Sequence, residues 1–356
     1  MAARISTKVS TMAATIPVID LAAARRGDAA ARRAAARAID EACTEIGFFT
    51  IAGHGVPRAV TDDLHAKGRA FFALPLEEKR RAVAADPATP RGYRGLGFEA
   101  LGRGNEPGAL PDDIKEYYHF GRESWPDDPY FTAGDGPRYF PRNVWPAAPA
   151  GFAAAAGRYY GEMERLTLDM MRLAALGLGL GLGLDERFFD DKIDRHITAM
   201  RLNFYPEQAT PPAPGQLRAS EHTDFGLLTI LNGENVPGGL QVKSRRGEWI
   251  EIETDPESFV INIGDLLMRW TNDRWVSNVH RVVNPPASAA GNSRLSIAFF
   301  QHPNYDAVVE CIAPPGEARY PPVTSGAYRD LKYRQTRSSS AVAAPDSARP
   351  VEGRAS

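Results

Sequence analysis

The stretch SEHTDFGLLTIL, residues 220–231, sets His222 and Asp224 two positions apart in front of an apolar run. In an extended strand, side chains at i and i+2 point to one face, so an imidazole and a carboxylate could share a metal ion. A third ligand would have to come from elsewhere, and NVHRVVNP places His280 at the end of another β-like run. Two histidines and one carboxylate make a facial triad of the type that holds non-haem Fe(II) and leaves coordination positions open. A His-x-Asp pair is short enough to arise by accident, and a lone strand histidine more often packs on its neighbours.

The same i,i+2 spacing recurs. In RLSIAFF, Arg294 and Ser296 share one face and Leu295, Ile297 and Phe299 the other. In MRLNFYP, Arg201, Asn203 and Tyr205 alternate with Met200, Leu202 and Phe204. A strand with one wet face gives such alternation too. Beside a metal triad it gains a chemical meaning, because an Fe(II) oxygenase needs a two-electron co-reductant. 2-Oxoglutarate can chelate the metal through its keto-acid end, and its distal carboxylate then needs a buried cation. Arginine offers a planar two-point donor and a serine hydroxyl a further hydrogen bond.

The elements that would carry these residues are legible in the texture of the chain. Small, polar, proline-punctuated ends (1–14 and 336–356) read as disordered. TIPVIDL and FFTIAGHGVP read as strands, and 29–46, 59–72 and 151–176 as helices, with GYRGLGF and EYYHFG in a loop-rich stretch between them. From about residue 197, short β-rich runs recur between glycine, proline and charged clusters: ITAMRLNFY, LLTILN, GLQVKS, GEWIEI, FVINIG, NVHRVVNP and RLSIAFF. Such spacing favours a double-sheet jelly roll over a βαβ sheet. The expectation is a mixed α/β (α+β) chain, with a mostly helical region (15–196) packed on a jelly-roll core (197–335). GLGLGLGL at 177–184 follows a helix rather than a strand, so it reads as a flexible helix exit and not a nucleotide loop.

Composition narrows the function classes. The 356 residues are 43% hydrophobic with a formal charge of −2, and lysine and arginine are scattered, so neither nucleic acid nor an anionic membrane is an expected partner. No cluster of basic residues announces an anionic substrate either. Two distant cysteines, Cys43 and Cys311, with no CxxC spacing, suit a reducing cytoplasm and argue against a disulfide scaffold or a thiolate zinc site. No run approaches the ~20 apolar residues of a membrane span. Cytoplasmic localisation is expected, and the oligomeric state is open, a monomer being compatible with all of this.

Together, IPVIDL, IGFFTIAGHGVP, SEHTD, GDLLMRWTND, NVHRVVNP and the Arg-x-Ser of RLSIAFF resemble the isopenicillin N synthase-like family of 2-oxoglutarate/Fe(II)-dependent oxygenases over most of residues 15–335. The resemblance implies a distorted double-stranded β-helix, iron ligation by His222, Asp224 and His280, and a cosubstrate carboxylate held by Arg294 and Ser296. Asn203 and Tyr205 fall where the family's asparagine-x-tyrosine meets the same cosubstrate. It also implies oxidation of a small molecule by dioxygen, by default a hydroxylation, coupled to decarboxylation of 2-oxoglutarate to succinate. Gly53 stands where many relatives have asparagine, and His54 in that Gly-flanked turn reads as structural. Tyr93, Phe98, Tyr117, His119, Phe225 and Phe300 are nominated as substrate contacts, and a small, partly apolar metabolite or amino-acid derivative of specialised metabolism as substrate. The alternatives are a same-fold oxidase that spends the Arg-x-Ser pair on its substrate, and a silent jelly-roll binding protein.

Overall fold

A computed structural model describes residues 15–104 and 111–336; the ends expected to be disordered lie, apart from Thr336, outside these. The strands are β1 (Val18–Asp20), β2 (Phe48–Ala52), β3 (Gly92–Arg94), β4 (Glu116–Gly121), β5 (Ala199–Tyr205), β6 (Ala219–His222), β7 (Leu228–Gly233), β8 (Leu240–Lys243), β9 (Trp249–Ile252), β10 (Phe259–Ile263), β11 (His280–Val282) and β12 (Arg294–Phe300). An eight-stranded sheet runs β1-β2-β10-β7-β12-β5-β4-β3, and a four-stranded sheet runs β6-β11-β8-β9. GYRGLGF and EYYHFG, read from sequence as loop-rich, supply β3 and β4 at one end of the large sheet. Every residue of β4 is buried, so EYYHFG has no wet face and lacks the alternation that announces a strand.

The principal helices are α1 (Ala29–Glu45), α2 (Arg58–Phe72), α3 (Phe152–Leu182), the short α4 (Asp265–Trp270) and α5 (Ser325–Thr336). Asp28 caps α1 by accepting from the Ala30 and Ala31 amides, each at 2.9 Å, which satisfies two of the donors a helix start leaves open. Helix α3 runs six residues past its expected end, so GLGLGL is helix and not a flexible exit. A Cβ at Gly177 would overlap the Ala36 carbonyl region of α1, so glycine here permits a close helix crossing that pays for its poor helix propensity. The helix stops at Gly183 in the left-handed conformation.

Strand alternation sorts the large sheet into two faces. Met200, Leu202, Ile230, Ile261, Leu295, Ile297 and Phe299 pack in one core with residues of α1, α2 and α3. The opposite parity faces the small sheet, where Phe48, Tyr205 and Val260 meet Ala219, Leu240, Val242, Ile250, Ile252 and Val282 in a second core. The layers are therefore helices, large sheet and small sheet, a double-stranded β-helix with a helical backing. His54 is spent on the turn after β2: its Nδ1 accepts from the Val56 amide at 3.1 Å, leaving Nε2 to donate to the Glu257 carbonyl at 3.0 Å. Among the described residues no helix is long and apolar enough to cross a membrane.

Phe71 links the first two layers. It is fully buried, with its ring 5.1 Å from that of Tyr118 on β4 and 5.6 Å from that of Phe152 on α3. Phe71→Ala is expected to cost about 3–5 kcal/mol of unfolding free energy. Urea denaturation measures it, and a loss below ~1 kcal/mol would mean that this ring cluster does not hold the helices to the sheet.

Candidate active site

His222 and His280 face each other directly across the β6–β11 pair, with ring centroids 4.3 Å apart. Each Nδ1 donates to a backbone carbonyl two residues back, His222 to Ser220 at 2.7 Å and His280 to Asn278 at 3.1 Å. With Nδ1 carrying the proton, each Nε2 offers its lone pair. Both Nε2 atoms stand 3.9 Å from Asp224 Oδ1, and the three donor atoms lie within 4.8 Å of one another. Sequence spacing suggested that His222 and Asp224 share one strand, but β6 ends at His222 and Asp224 sits in the following loop.

That loop is tied down by the motif GDLLMRWTND. The amide of Asp265 donates to the Asp224 carbonyl at 2.7 Å, and that of Gly264 to the Leu227 carbonyl at 2.8 Å. A side chain at Gly226 would overlap the backbone oxygen of Gln301, so the loop closes on β12 only with glycine there. The second carboxylate oxygen, Oδ2, accepts from Thr229 Oγ1 on β7 and from Asn262 Nδ2 on β10, the latter at 2.7 Å. Burial pushes the Asp224 carboxyl up, but the two imidazoles and these hydrogen bonds outweigh it and hold the group below its ordinary value. Burial, then the neighbouring His280 ring, pushes His222 down. Two imidazole Nε2 atoms and a carboxylate oxygen are the donor set a divalent iron takes.

On the large sheet, Arg294 and Ser296 lie opposite Tyr205 and Asn203 in the β12–β5 register, all four on the inner face. His280 on β11 belongs to the small sheet, whereas Arg294 on β12 lies between β7 and β5 in the large one, so the two motifs approach from opposite walls. Arg294 is 1% exposed, and its Nε and Nη2 have no partner among the described residues. Unpaired guanidinium donors in a dry cavity are costly, and a carboxylate is the group that satisfies them in pairs. The cavity they line, with Asn203, Tyr205 and Ser296, extends to His222, Asp224 and His280. This is a fit to the distal carboxylate of 2-oxoglutarate. Arg218, which sequence reasoning passed over, is fully buried with its guanidinium 5.9 Å from the Tyr205 ring. Its Nη atoms are already spent on the carbonyls of Pro237, Gly238 and Asn292 at 2.6–3.1 Å.

A second cavity shares His222, Asp224, Arg201 and Phe300 with the first. Phe98, Tyr117, His119, Phe225 and Phe300 line it. Tyr93 does not: β3 turns it to the helical face, 5.9 Å from the Phe71 ring, where its hydroxyl donates to Glu116. Its strand neighbour Arg94, on the opposite parity, reaches the cavity instead. Arg91, Arg94, His302 and Tyr333 also line it and were missed from sequence. The arginines scattered along the chain thus do converge here, contrary to the expectation drawn from their distribution. Arg201, in phase with Asn203 and Tyr205, turns to this cavity and pairs with Glu99 at 3.0 Å, its guanidinium 4.1 Å above the Tyr117 ring.

The chain matches two family profiles: residues 16–148 that of the N-terminal region of non-haem dioxygenases, described for morphine synthesis, and residues 197–303 that of the 2OG-Fe(II) oxygenase superfamily. A 2-oxoglutarate-Fe(II) type oxidoreductase of Emericella nidulans is 33% identical over 326 residues, covering 88% of this chain and 89% of the relative. Validamycin A dioxygenase of Streptomyces hygroscopicus subsp. limoneus is 34% identical over 319 residues, covering 88% and 85%. Among solved structures, full-length Neurospora crassa T7H in complex with alpha-KG superposes with a TM-score of 0.76 at 33% identity, over 90% of this chain and 95% of that one. The chain belongs to the 2-oxoglutarate/Fe(II) oxygenase family, isopenicillin N synthase-like in fold, and is a dioxygenase-class oxidoreductase that works with Fe(II), 2-oxoglutarate and dioxygen.

Proposed function

We propose that His222, Asp224 and His280 hold the Fe(II), that Arg294 and Ser296, with Tyr205 and Asn203, hold the distal carboxylate of 2-oxoglutarate, and that a small, partly apolar metabolite occupies the second cavity and is hydroxylated there. The observation that carries this reading is that the two cavities meet at His222 and Asp224. Iron bound there supplies the dioxygen chemistry that couples decarboxylation of 2-oxoglutarate to succinate with oxidation of the substrate. The chain's own residues do the positioning. Thr229 and Asn262 fix the Asp224 carboxylate, and the Ser220 and Asn278 carbonyls fix the imidazole tautomers. Arg294 anchors one end of the cosubstrate so that its other end can reach the metal. Phe225 and Phe300 wall the substrate cavity beside the metal and exclude water.

Fe(II)-dependent conversion of 2-oxoglutarate to succinate by the purified protein tests the reading, and absence of both binding and turnover of 2-oxoglutarate overturns it. His222→Ala and Asp224→Ala are expected to abolish this turnover, whereas Arg294→Ala chiefly raises the 2-oxoglutarate requirement. The loss of a buried charge-assisted pairing costs on the order of 2–5 kcal/mol. Full metal content and activity in Asp224→Ala would contradict the ligand assignment.

Asn262→Ala tests the support of that ligand separately. It removes one of the two side-chain donors to Asp224 Oδ2 and is expected to weaken metal binding about 10–100-fold. Calorimetric titration with Mn(II), a redox-stable stand-in, measures this. Wild-type affinity in the variant would mean that Asn262 does not orient the carboxylate.

A further inference from the structure

The second cavity contains a buried charge that the fold leaves unanswered. Arg91 lines it and is only 6% exposed. Its one side-chain hydrogen bond among the described residues is from Nη1 to the Pro90 carbonyl at 2.8 Å, and its buried Nε has no partner. A guanidinium has five donors, so most of its hydrogen-bonding capacity is unused in a place where water is scarce. The acids that line the same cavity are engaged elsewhere. Glu99 pairs with Arg201 at 3.0 Å and with Lys115 at 2.9 Å, and Asp224 belongs to the triad.

The surroundings add positive charge. Arg329, on α5, also acts on Arg91, and its own buried Nε is unpartnered. Its nearest carboxylate oxygen, Asp330 Oδ1, is 3.8 Å away, and Asp330 already receives Arg138 at 2.7 Å and the Tyr139 hydroxyl at 2.8 Å. His119 lines the cavity beside them with its buried Nε2 unpartnered. Burial, then Arg201, Arg91, Arg94 and Arg329, push its pKa well below the ordinary value, so it faces the cavity as a neutral imidazole. Burial pushes Arg91 itself down to about 10, which leaves it charged at neutral pH. Isolated buried charges are retained where something pairs with them.

We propose that the substrate is an amphiphilic organic anion whose carboxylate is received by Arg91 and His119, with Arg329 behind them, while its apolar part lies among Phe98, Tyr117, Phe225 and Phe300. The inference rests on the reading of this cavity as the substrate site. It replaces the general expectation of a small, partly apolar metabolite with a carboxylic acid, and it explains why arginines far apart in sequence converge on an otherwise aromatic pocket. Planar two-point pairing to a carboxylate is the interaction a guanidinium makes best, and an aromatic wall suits a ring or short chain attached to it.

The test uses the full chain loaded with Mn(II) and 2-oxoglutarate. It is titrated calorimetrically with benzoate, phenylacetate, indole-3-acetate and octanoate, and with the primary amide of each. At least one acid is expected to bind, and to bind about 30-fold or more tightly than its amide. Arg91→Gln is expected to bring the acid down to the affinity of the amide. Equal binding of acids and amides, or binding of none of the acids, overturns the proposal, and this comparison needs only the wild-type protein. An acid preference that survives undiminished in Arg91→Gln overturns the assignment of Arg91. Failure of the wild-type chain to take up 2-oxoglutarate is seen before any acid is added, and it would overturn the underlying site assignment instead.

Discussion

The carboxylate of Asp224 joins the two sheets. One oxygen faces two imidazoles presented by the small sheet, and the other accepts hydrogen bonds from Thr229 and Asn262 on the large sheet. A buried carboxylate without such partners would be driven to its neutral form. Its ionisation therefore requires β6, β7, β10 and β11 to sit at one spacing, and that spacing is also what brings three donor atoms within reach of one ion. The helix that begins at Asp265 serves the same end through the backbone, holding the loop that places Asp224 beyond the end of its strand.

The remainder of the architecture keeps that junction dry and rigid. Strand parity commits one face of the large sheet to the helices and the other to the sandwich interior. Arg294, Ser296, Asn203 and Tyr205 can therefore face the small sheet while Leu295, Ile297, Leu202 and Phe204 lie toward the helical side. The helical layer backs the large sheet, where Leu202, Leu295, Ile297 and Phe299 join residues of α1, α2 and α3 in one core.

Buried cations in this interior fall into two groups. Arg218 gives its Nη donors to three backbone carbonyls, and Arg201 and Lys115 share Glu99. These are answered within the fold. Arg294 and Arg91 are as deeply buried yet keep donors unused, one in each cavity. Arg201 and Arg218 also leave a buried Nε unpartnered but are held at their Nη atoms by an acid or by carbonyls, whereas Arg294 lacks partners at both Nε and Nη2 and Arg91 makes a single side-chain hydrogen bond, to the Pro90 carbonyl. Arg294 lines one cavity and Arg91 the other, and the two cavities share His222 and Asp224.

Much of this was present in the residue order. Period-two alternation in MRLNFY and RLSIAFF determined which side chains share a face, and local apolar periodicity determined α1, α2 and the start of α3, because both depend only on near neighbours along the chain. The triad was legible for a different reason: histidine, aspartate and arginine are rare enough at these spacings that their combination carries chemical meaning. Tertiary structure alone decided what depends on distant pairing. It put β12 beside β5 and β7 rather than β11, turned Tyr93 away from the cavity, and made strands of GYR and EYYHFG, whose full burial erases the alternation. It also gathered Arg91, His119, Arg201 and Arg329 around one cavity. No local pattern could announce that, since the Coulombic cost of bringing like charges together exists only once the chain has folded.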